Sequence, residues 1–492
     1  MASSNQAEKG YRIAKNYAYS LLYQIFTIIT PLITTPYISR VLGAANIGIF
    51  GYVESIGVYF IMMGNFGFPF LGQREIAYTS DDLEKRSQRF ADIMLGKTFF
   101  LSIALVAYII FSLFFAKDNK IIFLSFALGI IADLLQAGWF FQGIEDFRTT
   151  VIRNFIIKIT SIVSIFLFVK TANDLLIYSL LLNGANVIGN LFVVFALRNK
   201  ISLKNYKVSM KRVFSFVKPA LILAIPYYIS SVYAVIDKTM IGSLCNYSEV
   251  GYYEQSQKII KFSLALVTAL GTVFMPRIAK EVKSRDRESV KLLLSKGIDA
   301  ILLISFPLCA GLLCVGEMMT PWFFGAGFEP VGVLIMTFAP MALFLGLNSF
   351  LGDQYLAAAK KEKLLTIAIL VGVVINVIVN AILIPKLASL GAAIATVTSE
   401  FCKLIFLMIC LRGVVEVKHL LLTALKCLLL TLPMFAVGVI TRQTIFSEYS
   451  ITNTLLLVVL CCVVYFCTLV VTKNEFVMAF FDLVKKKLHK KS

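Results

Sequence analysis

The stretch LLTIAILVGVVINVIVNAILIP, residues 364–385, decides the fold. It carries no charged side chain, and at about 1.5 Å per residue a helix of this length reaches roughly 33 Å, enough to cross a hydrocarbon core about 30 Å thick. Thirteen further apolar runs surround it, at 17–38, 50–71, 98–116, 121–142, 150–169, 175–197, 218–241, 257–276, 293–315, 329–351, 388–411, 419–440 and 452–472. They are too long and too evenly apolar for strands, and nothing shows the ten-residue alternation of an outer-membrane barrel. A composition of 59% hydrophobic and 15% charged residues also excludes a water-soluble globular chain. The expected fold is all-α, a polytopic membrane protein of about 14 transmembrane helices. The first run holds Pro31 and Pro36 and no small-residue cleavage pattern follows it, so it is expected to stay as helix 1 rather than leave as a signal peptide.

Orientation follows from Lys and Arg. Of 47 such residues, 36 fall on one side: Lys9, Arg12 and Lys15, the stretch from Arg74 to Lys97, the loops 198–218 and 277–296, and the tail KKKLHKKS. The other side holds Arg40, Lys117, Lys120, Lys170, Lys238, Lys386 and Arg442, and Lys158, Lys258, Lys261 and Lys403 fall within runs. This bias places both termini in the cytoplasm. It also explains the net charge of +19, which orients the chain and meets anionic lipid instead of nucleic acid. Most of the nine cysteines lie inside runs, so no disulfide framework is expected. With only His419 and His489, no Cys/His metal cluster is expected, and no phosphate-cradling loop occurs. The sequence therefore calls for no cofactor and for no enzyme.

The chain also repeats. LGAANIGIFGYVESI, from Leu42 to Ile56, lies over LCNYSEVGYYEQSQKI, from Leu244 to Ile259, and each is followed by a run ending in Pro then Arg, Pro69 with Arg74 and Pro276 with Arg277. Two six-helix lobes, 1–200 and 201–412, are expected, with 413–492 adding helices 13 and 14 and a basic tail. Six is even, so the lobes share one orientation, as in parallel-repeat transporters, and a cavity between them is the expected ligand site.

A charge at mid-bilayer costs on the order of 3 kcal/mol, so charged residues in spans face a cavity or a partner. The candidates are Glu54, Asp133, Lys158, Asp237, Lys238, Glu254, Lys258, Lys261, Asp299, Glu400 and Lys403. Glu400 with Lys403, and Asp299 with Lys296, have the spacing of simple helix-face pairs. Lys258 and Lys261 share a face as like charges, which favours an anionic ligand over structural glue. Arg40, Arg74, Arg153 and Arg277 lie near span ends, where they either snorkel or meet phosphate. Gly43, Gly48, Gly51, Gly64, Gly67 and Gly72 suggest either a bending helix or close packing around span 2.

SRVLGAANIG (39–48), WFFQGIEDF (139–147), IDKTMIGSL (236–244), VGYYEQSQKI (250–259) and LIPKLASLGAAIATVTSE (383–400) together resemble the polysaccharide-transporter branch of the multidrug/oligosaccharidyl-lipid/polysaccharide (MOP) exporter superfamily, and most of all the Wzx-type flippases of O-antigen and capsular repeat units. The resemblance runs through spans 1–12 in order. It implies a bundle of two lobes that alternates between inward-open and outward-open states and moves an undecaprenyl-diphosphate-linked oligosaccharide to the outer leaflet of the bacterial cytoplasmic membrane. Polysaccharide polymerase and co-polymerase are the protein partners it implies. Lys258, Lys261 and the rim arginines would meet the diphosphate. Trp139, Gln142, Tyr252, Tyr253 and Gln255 would stack on or bond to sugar, Trp139 having interfacial anchoring as its other reading.

Related lipid II flippases hold sodium, and the matching positions here are Asp237, Asn376, Asn380 and Thr396, oxygen ligands suited to a hard cation. An interhelical polar network is the other reading of this set, and sodium or proton coupling stays open. Glu54 and Glu254 stand where the lipid II flippases tend to place arginine, which argues for a different oligosaccharide. The competing expectations are a lipid II flippase and a cation-coupled multidrug exporter of the same superfamily.

Overall fold

In the computed structural model the described residues are 2–116, 119–204, 206–475 and 478, and for 2–29, 270, 272 and 273 the backbone alone is described. The tail KKKLHKKS and Lys117 lie outside the described residues, as do the side chains of Lys9, Arg12 and Lys15. Among the described residues the structure is helical throughout: α1 Ala2–Asn65, α2 Phe68–Tyr78, α3 Leu83–Phe115, α4 Lys120–Leu134, α5 Gly138–Gly143, α6 Phe147–Phe168, α7 Leu175–Leu197, α8 Met210–Ser215, α9 Val217–Leu244, α10 Tyr247–Ser284, α11 Arg287–Phe323, α12 Glu329–Phe338, α13 Met341–Asn348, α14 Glu362–Cys410, α15 Val417–Thr444 and α16 Ile451–Val471. A short 3-10 turn, Ala172–Asp174, precedes α7, and a π-helical segment, Ser349–Leu356, continues α13.

By length and composition ten helices among the described residues can cross a membrane, or up to twelve if each of two bent pairs is one span. The sequence expectation was about fourteen runs. Two helices account for the difference in form. The 64 residues of α1 are broken at Gly43 (φ 74°, ψ 169°), and the 49 of α14 at Ala388 (φ 49°, ψ −127°). At about 1.5 Å per residue they would reach roughly 96 Å and 73 Å, each about twice a bilayer core or more. Gly43 adopts its positive φ without steric cost, whereas Ala388 adopts one at a cost its surroundings must offset. Gly43 falls between the runs 17–38 and 50–71, and Ala388 at the first residue of the run 388–411. The prolines inside α1, α9 and α14 do not end those helices, as is common where neighbouring helices satisfy the freed backbone groups.

The chain divides into two compact units, Met1–Gly251 and Tyr252–Ser492. In the first, α1 packs on α3, α4, α6 and α9, and α7 packs on α4 and α6. Its apolar clusters centre on Phe50, Leu101, Tyr108 and Phe126, and on Phe68, Phe90, Trp139 and Phe140. Here the two matching segments meet reciprocally: a Cβ on Gly48 would strike the Tyr247 carbonyl, and one on Gly251 the Ala44 carbonyl. Small residues let these backbones touch, as an isologous contact between related segments requires. Gly72 packs under the Trp139 indole in the same way. The glycines around span 2 thus serve close packing and, at Gly43, a helix break. In the second unit α11 is central, packing on α12, α13, α15 and α16 around Leu294, Ile301, Leu347, Phe350 and Leu407.

The ends of the helices outside the apolar spans are fixed by caps and by loop anchors. Asp82 accepts from the Lys85 backbone N–H at 3.0 Å, and Asp286 from the Ser289 N–H at 3.0 Å. The basic connector before α9 is tied back to α3: Tyr206 donates to Asp92 Oδ1 at 2.8 Å, Arg212 Nε to Asp92 Oδ2 at 3.0 Å, and Arg86 to the Lys200 carbonyl at 2.8 Å. Burial first, and the Asp92 carboxylate second, push the Tyr206 hydroxyl up to about 12. The Ser289 backbone N–H, then its side chain, hold the Asp286 carboxyl below the usual range. A depressed carboxylate stabilises the folded state above its ordinary pKa, and loses that contribution as pH falls through the folded value. Asp286→Ala is therefore expected to lower the melting temperature slightly at neutral pH and not at all in strong acid; an equal loss at both pH values would refute the cap's role.

Candidate functional site

A break in a membrane helix organises the polar groups of the first unit. The run 121–142, expected as one span, is one candidate span, Lys120–Gly143, interrupted where α4 stops at Leu134 and α5 starts at Gly138. The last carbonyls of α4 lose their helical partners there, and within a bilayer protein groups must replace them. Lys97 of α3, 0% exposed, does so. Its Nζ donates to the Asp133 carbonyl and to the Gln136 carbonyl at 2.7 Å, and stands 3.8 Å from Asp133 Oδ2. An ammonium at the negative end of a helix dipole is the favourable sign. Asn65 Nδ2 donates to Asp133 Oδ2 at 2.7 Å, and Asn190 Nδ2 to the Ala132 carbonyl at 2.7 Å.

Arg153 of α6 completes the cluster. Its guanidinium donates to Asn154 Oδ1 at 3.0 and 2.6 Å and to Asn190 Oδ1 at 3.4 Å. Gly138 leaves room for it, since a Cβ there would come within 3.2 Å of Nη1. Lys97 and Arg153 bring two cations to the Asp133 carboxylate, and the half-buried Arg153 guanidinium is a planar group of the kind that suits phosphate. Asp133 and Arg153 were candidates from the sequence. Lys97, Asn65, Gln136, Asn154 and Asn190 were not, because Lys97 lies one residue before the run 98–116 and amides carry no weight in a hydropathy reading.

Along α1 and α9 a second polar seam forms. Lys238 Nζ meets Glu54 Oε2 at 2.9 Å, Thr239 donates to Ser55 Oγ at 3.1 Å, and Tyr52 lies 3.3 Å from Ser243. Asp237 beside them is buried. Trp139 is 2% exposed and stacks on Phe90 at 5.4 Å. With Gly72 against its other atoms the ring is a core residue, which corrects both the sugar-stacking and the interfacial expectation for it. Gln142 is half-buried; Arg40, Arg74 and Arg277 are exposed, Arg74 lying 3.7 Å from Glu75.

In the second unit, Lys258 pairs with Glu254 one turn away at 3.2 Å, and Lys261 is exposed. Lys258 thus has its own carboxylate, so the argument from two like charges on one face does not hold for it. Asp299 pairs with His419 at 2.8 Å and accepts from Thr423 at 2.8 Å, in place of the expected Lys296. Glu400 and Lys403 do pair, at 3.5 Å. Asn380 donates to Asn376 at 3.0 Å, both fully buried, and Thr396 Oγ1 lies 3.0 Å from the Tyr253 hydroxyl. No group of three or more His, Cys, Asp or Glu side chains able to hold a metal occurs among the described residues.

Residues 13–282 match the family model described as polysaccharide biosynthesis protein. The chain belongs to that family. It is 22% identical over 390 residues to a putative O-antigen transporter of Escherichia coli, covering 79% of this chain and 94% of the relative. A probable low-salt glycan biosynthesis flippase, Agl15 of Haloferax volcanii, is 26% identical over 252 residues, half of each chain (50% and 51%). Among solved structures, the lipid II flippase MurJ in an inward closed conformation superposes with a TM-score of 0.77 at 15% identity, covering 94% of this chain and all (100%) of that one. An inward-facing multidrug transporter of the MATE family superposes at 0.61 and 13% identity, covering 78% and 94%. The chain shares the fold of these two transporters.

The stretch matched by the family model holds Glu54, Asn65, Lys97, Asp133, Arg153, Asn190, Lys238 and the Glu254–Lys258 pair. Asn376, Asn380 and Thr396 lie beyond it.

Proposed function

We propose that the chain is a flippase that moves undecaprenyl-diphosphate-linked oligosaccharide repeat units from the inner to the outer leaflet of a bacterial cytoplasmic membrane, by alternating access, for capsule or O-antigen synthesis. The observation that carries this reading is the polar cluster of Lys97, Asp133 and Arg153 at the α4–α5 break, in a member of a polysaccharide biosynthesis family. A lipid tail can stay in the bilayer while its diphosphate needs fixed cations and amide donors along the way. Arg153 is the main phosphate contact in this reading, with Lys97 holding the broken helix. Arg40, Arg74, Arg277, Lys258 and Lys261 supply further positive charge, and Glu54, Gln142 and Glu254 supply hydrogen bonds to sugar. Both termini are cytoplasmic, the two repeats form like-oriented six-helix lobes, and a polymerase with its co-polymerase consumes the product. Sodium coupling through Asp237, Asn376, Asn380 and Thr396 belongs to the same reading. The protein acts as a transporter and not as an enzyme.

Depleting the protein is expected to trap lipid-linked oligosaccharide on the cytoplasmic leaflet and to remove surface polymer. Undiminished outward appearance of the precursor would end the proposal, and transport unaffected by sodium would end its sodium part. A second reading, lipid II transport, is favoured by the MurJ likeness and by 22% identity over 427 residues to the lipid II flippase of Bacillus subtilis, covering 75% and 76%. It predicts that peptidoglycan precursor accumulates instead.

A further inference from the structure

A cavity in the second unit lies apart from the residues assigned above. It measures about 500 Å³ and is lined by Glu317 of α11, by Val439, Arg442 and Gln443 near the end of α15, and by Ser447 and Tyr449 of the α15–α16 connector. That size is in the range of small-molecule sites. Arg442 ties its walls together: the guanidinium donates to Glu317 Oε2, to the Cys314 carbonyl at 3.4 Å and to the Tyr449 hydroxyl at 3.5 Å. Glu317 still keeps 39% of its side chain exposed. Gln443, Ser447 and Tyr449 are exposed too, so an amide, a hydroxyl and a phenol ring meet whatever fills the space. The connector is fixed from below. Phe446 packs into the cluster around Met318, Met434 and Leu457, its N–H donates to the Thr441 carbonyl at 2.8 Å, and Trp322 Nε1 donates to Thr454 at 2.8 Å, joining α11 to α16. The cavity is therefore preformed on rigid elements.

Charge decides which ligand fits. Glu317 and Arg442 already pair, and the other four lining residues are uncharged. An arriving cation meets Arg442 beside its carboxylate, and an arriving anion meets Glu317 beside its guanidinium, so either gains little. A ligand made of hydroxyl groups has no such conflict, because each hydroxyl both donates and accepts. It can donate to the open side of Glu317 and accept from the Gln443 amide and the Ser447 hydroxyl while the ion pair stays closed, and hydrogen bonds to ionised groups are the strong ones. Tyr449 and Val439 add a ring and an apolar surface for the C–H face of a sugar.

We propose that this cavity is a saccharide-binding site that takes a neutral sugar of an oligosaccharide. Arg442 belongs to the side opposite the basic loops, so in the flippase reading, on which its use rests, the site stands where translocated repeat units arrive. Saccharide binding is measured without transport, so its failure is distinct from failure of the flippase assay.

The test uses the full chain in lipid nanodiscs, with the oligosaccharide released by mild acid from the lipid-linked precursor of the same cells as the probe. Tyr449→Trp puts a reporter indole in the cavity at an exposed position, and its emission, taken as the difference from the unsubstituted chain, is expected to shift with saccharide and to saturate. Adding Gln443→Ala and Ser447→Ala, both exposed and so harmless to folding, is expected to raise the half-saturating concentration at least about fivefold, as the loss of two ordinary hydrogen bonds would. An indole that does not respond to saccharide, or a response that the two alanines leave unchanged, overturns the proposal. So does an indole that responds to phosphoethanolamine lipid in the disc and not to saccharide, which would give the cavity to a zwitterionic headgroup.

Discussion

Replacing Lys97 by methionine is expected to cost about 3–5 kcal/mol, the range for removing one partner of a buried ion pair. The side chain is wholly buried, and its ammonium serves the carbonyls of Asp133 and Gln136 as well as the Asp133 carboxylate. Methionine fills a similar volume, so the loss is electrostatic: the Asp133 carboxylate and the Gln136 carbonyl lose their ammonium in an apolar interior, and the Asp133 carbonyl keeps the Gln136 N–H. Much less protein should reach the membrane in folded form, and the melting temperature of what remains in detergent should fall by many degrees. Asp133→Asn is expected to be milder, since the bonds from Lys97 to the two carbonyls survive and the new amide still accepts from Asn65. If Lys97→Met melted like wild type, the broken helix would have to be held by something other than this ammonium.

What the sequence made legible follows from the strength of the signal. An apolar run of about 20 residues is unambiguous, and the edges drawn near residues 38–50 and 385–388 fall at the breaks at Gly43 and Ala388. The break at 135–137 was hidden because the residues on both sides, Ile130–Ile131 and Trp139–Phe141, keep the window apolar. Its trace was Asp133, Gln136 and Gly138 close together. Partners across helices were not legible at all. Helix spacing offers Lys296 to Asp299, whereas packing gives it His419; Glu254, one turn from Lys258 on the same helix, was within reach of a spacing argument. Glu400–Lys403 was legible because both residues lie on one helix. Trp139 was misplaced for a related reason: a residue type enriched at interfaces says nothing of the Gly72 and Phe90 that enclose it.

Arg153→Ala separates transport from folding. Arg153 is half-buried, and its guanidinium donates to the amide oxygens of Asn154 and Asn190. Asn190 keeps its bond to the Ala132 carbonyl when Arg153 is removed, so protein abundance is expected to stay close to normal. The contribution of Arg153 appears when an anion arrives. A hydrogen bond to a charged group is worth about 1.5–3 kcal/mol, or roughly 10- to 150-fold in a rate or affinity. Surface polymer is therefore expected to fall at least about tenfold while lipid-linked oligosaccharide accumulates inside. Arg153→Lys keeps the charge but not the planar fork, and should recover only part of the flux. The pair of variants distinguishes phosphate recognition from packing: a packing role would make lysine and alanine comparably harmful to melting temperature, whereas recognition leaves both folded and ranks their transport arginine, lysine, alanine. Normal polymer in the folded alanine variant would remove Arg153 from the path of the substrate.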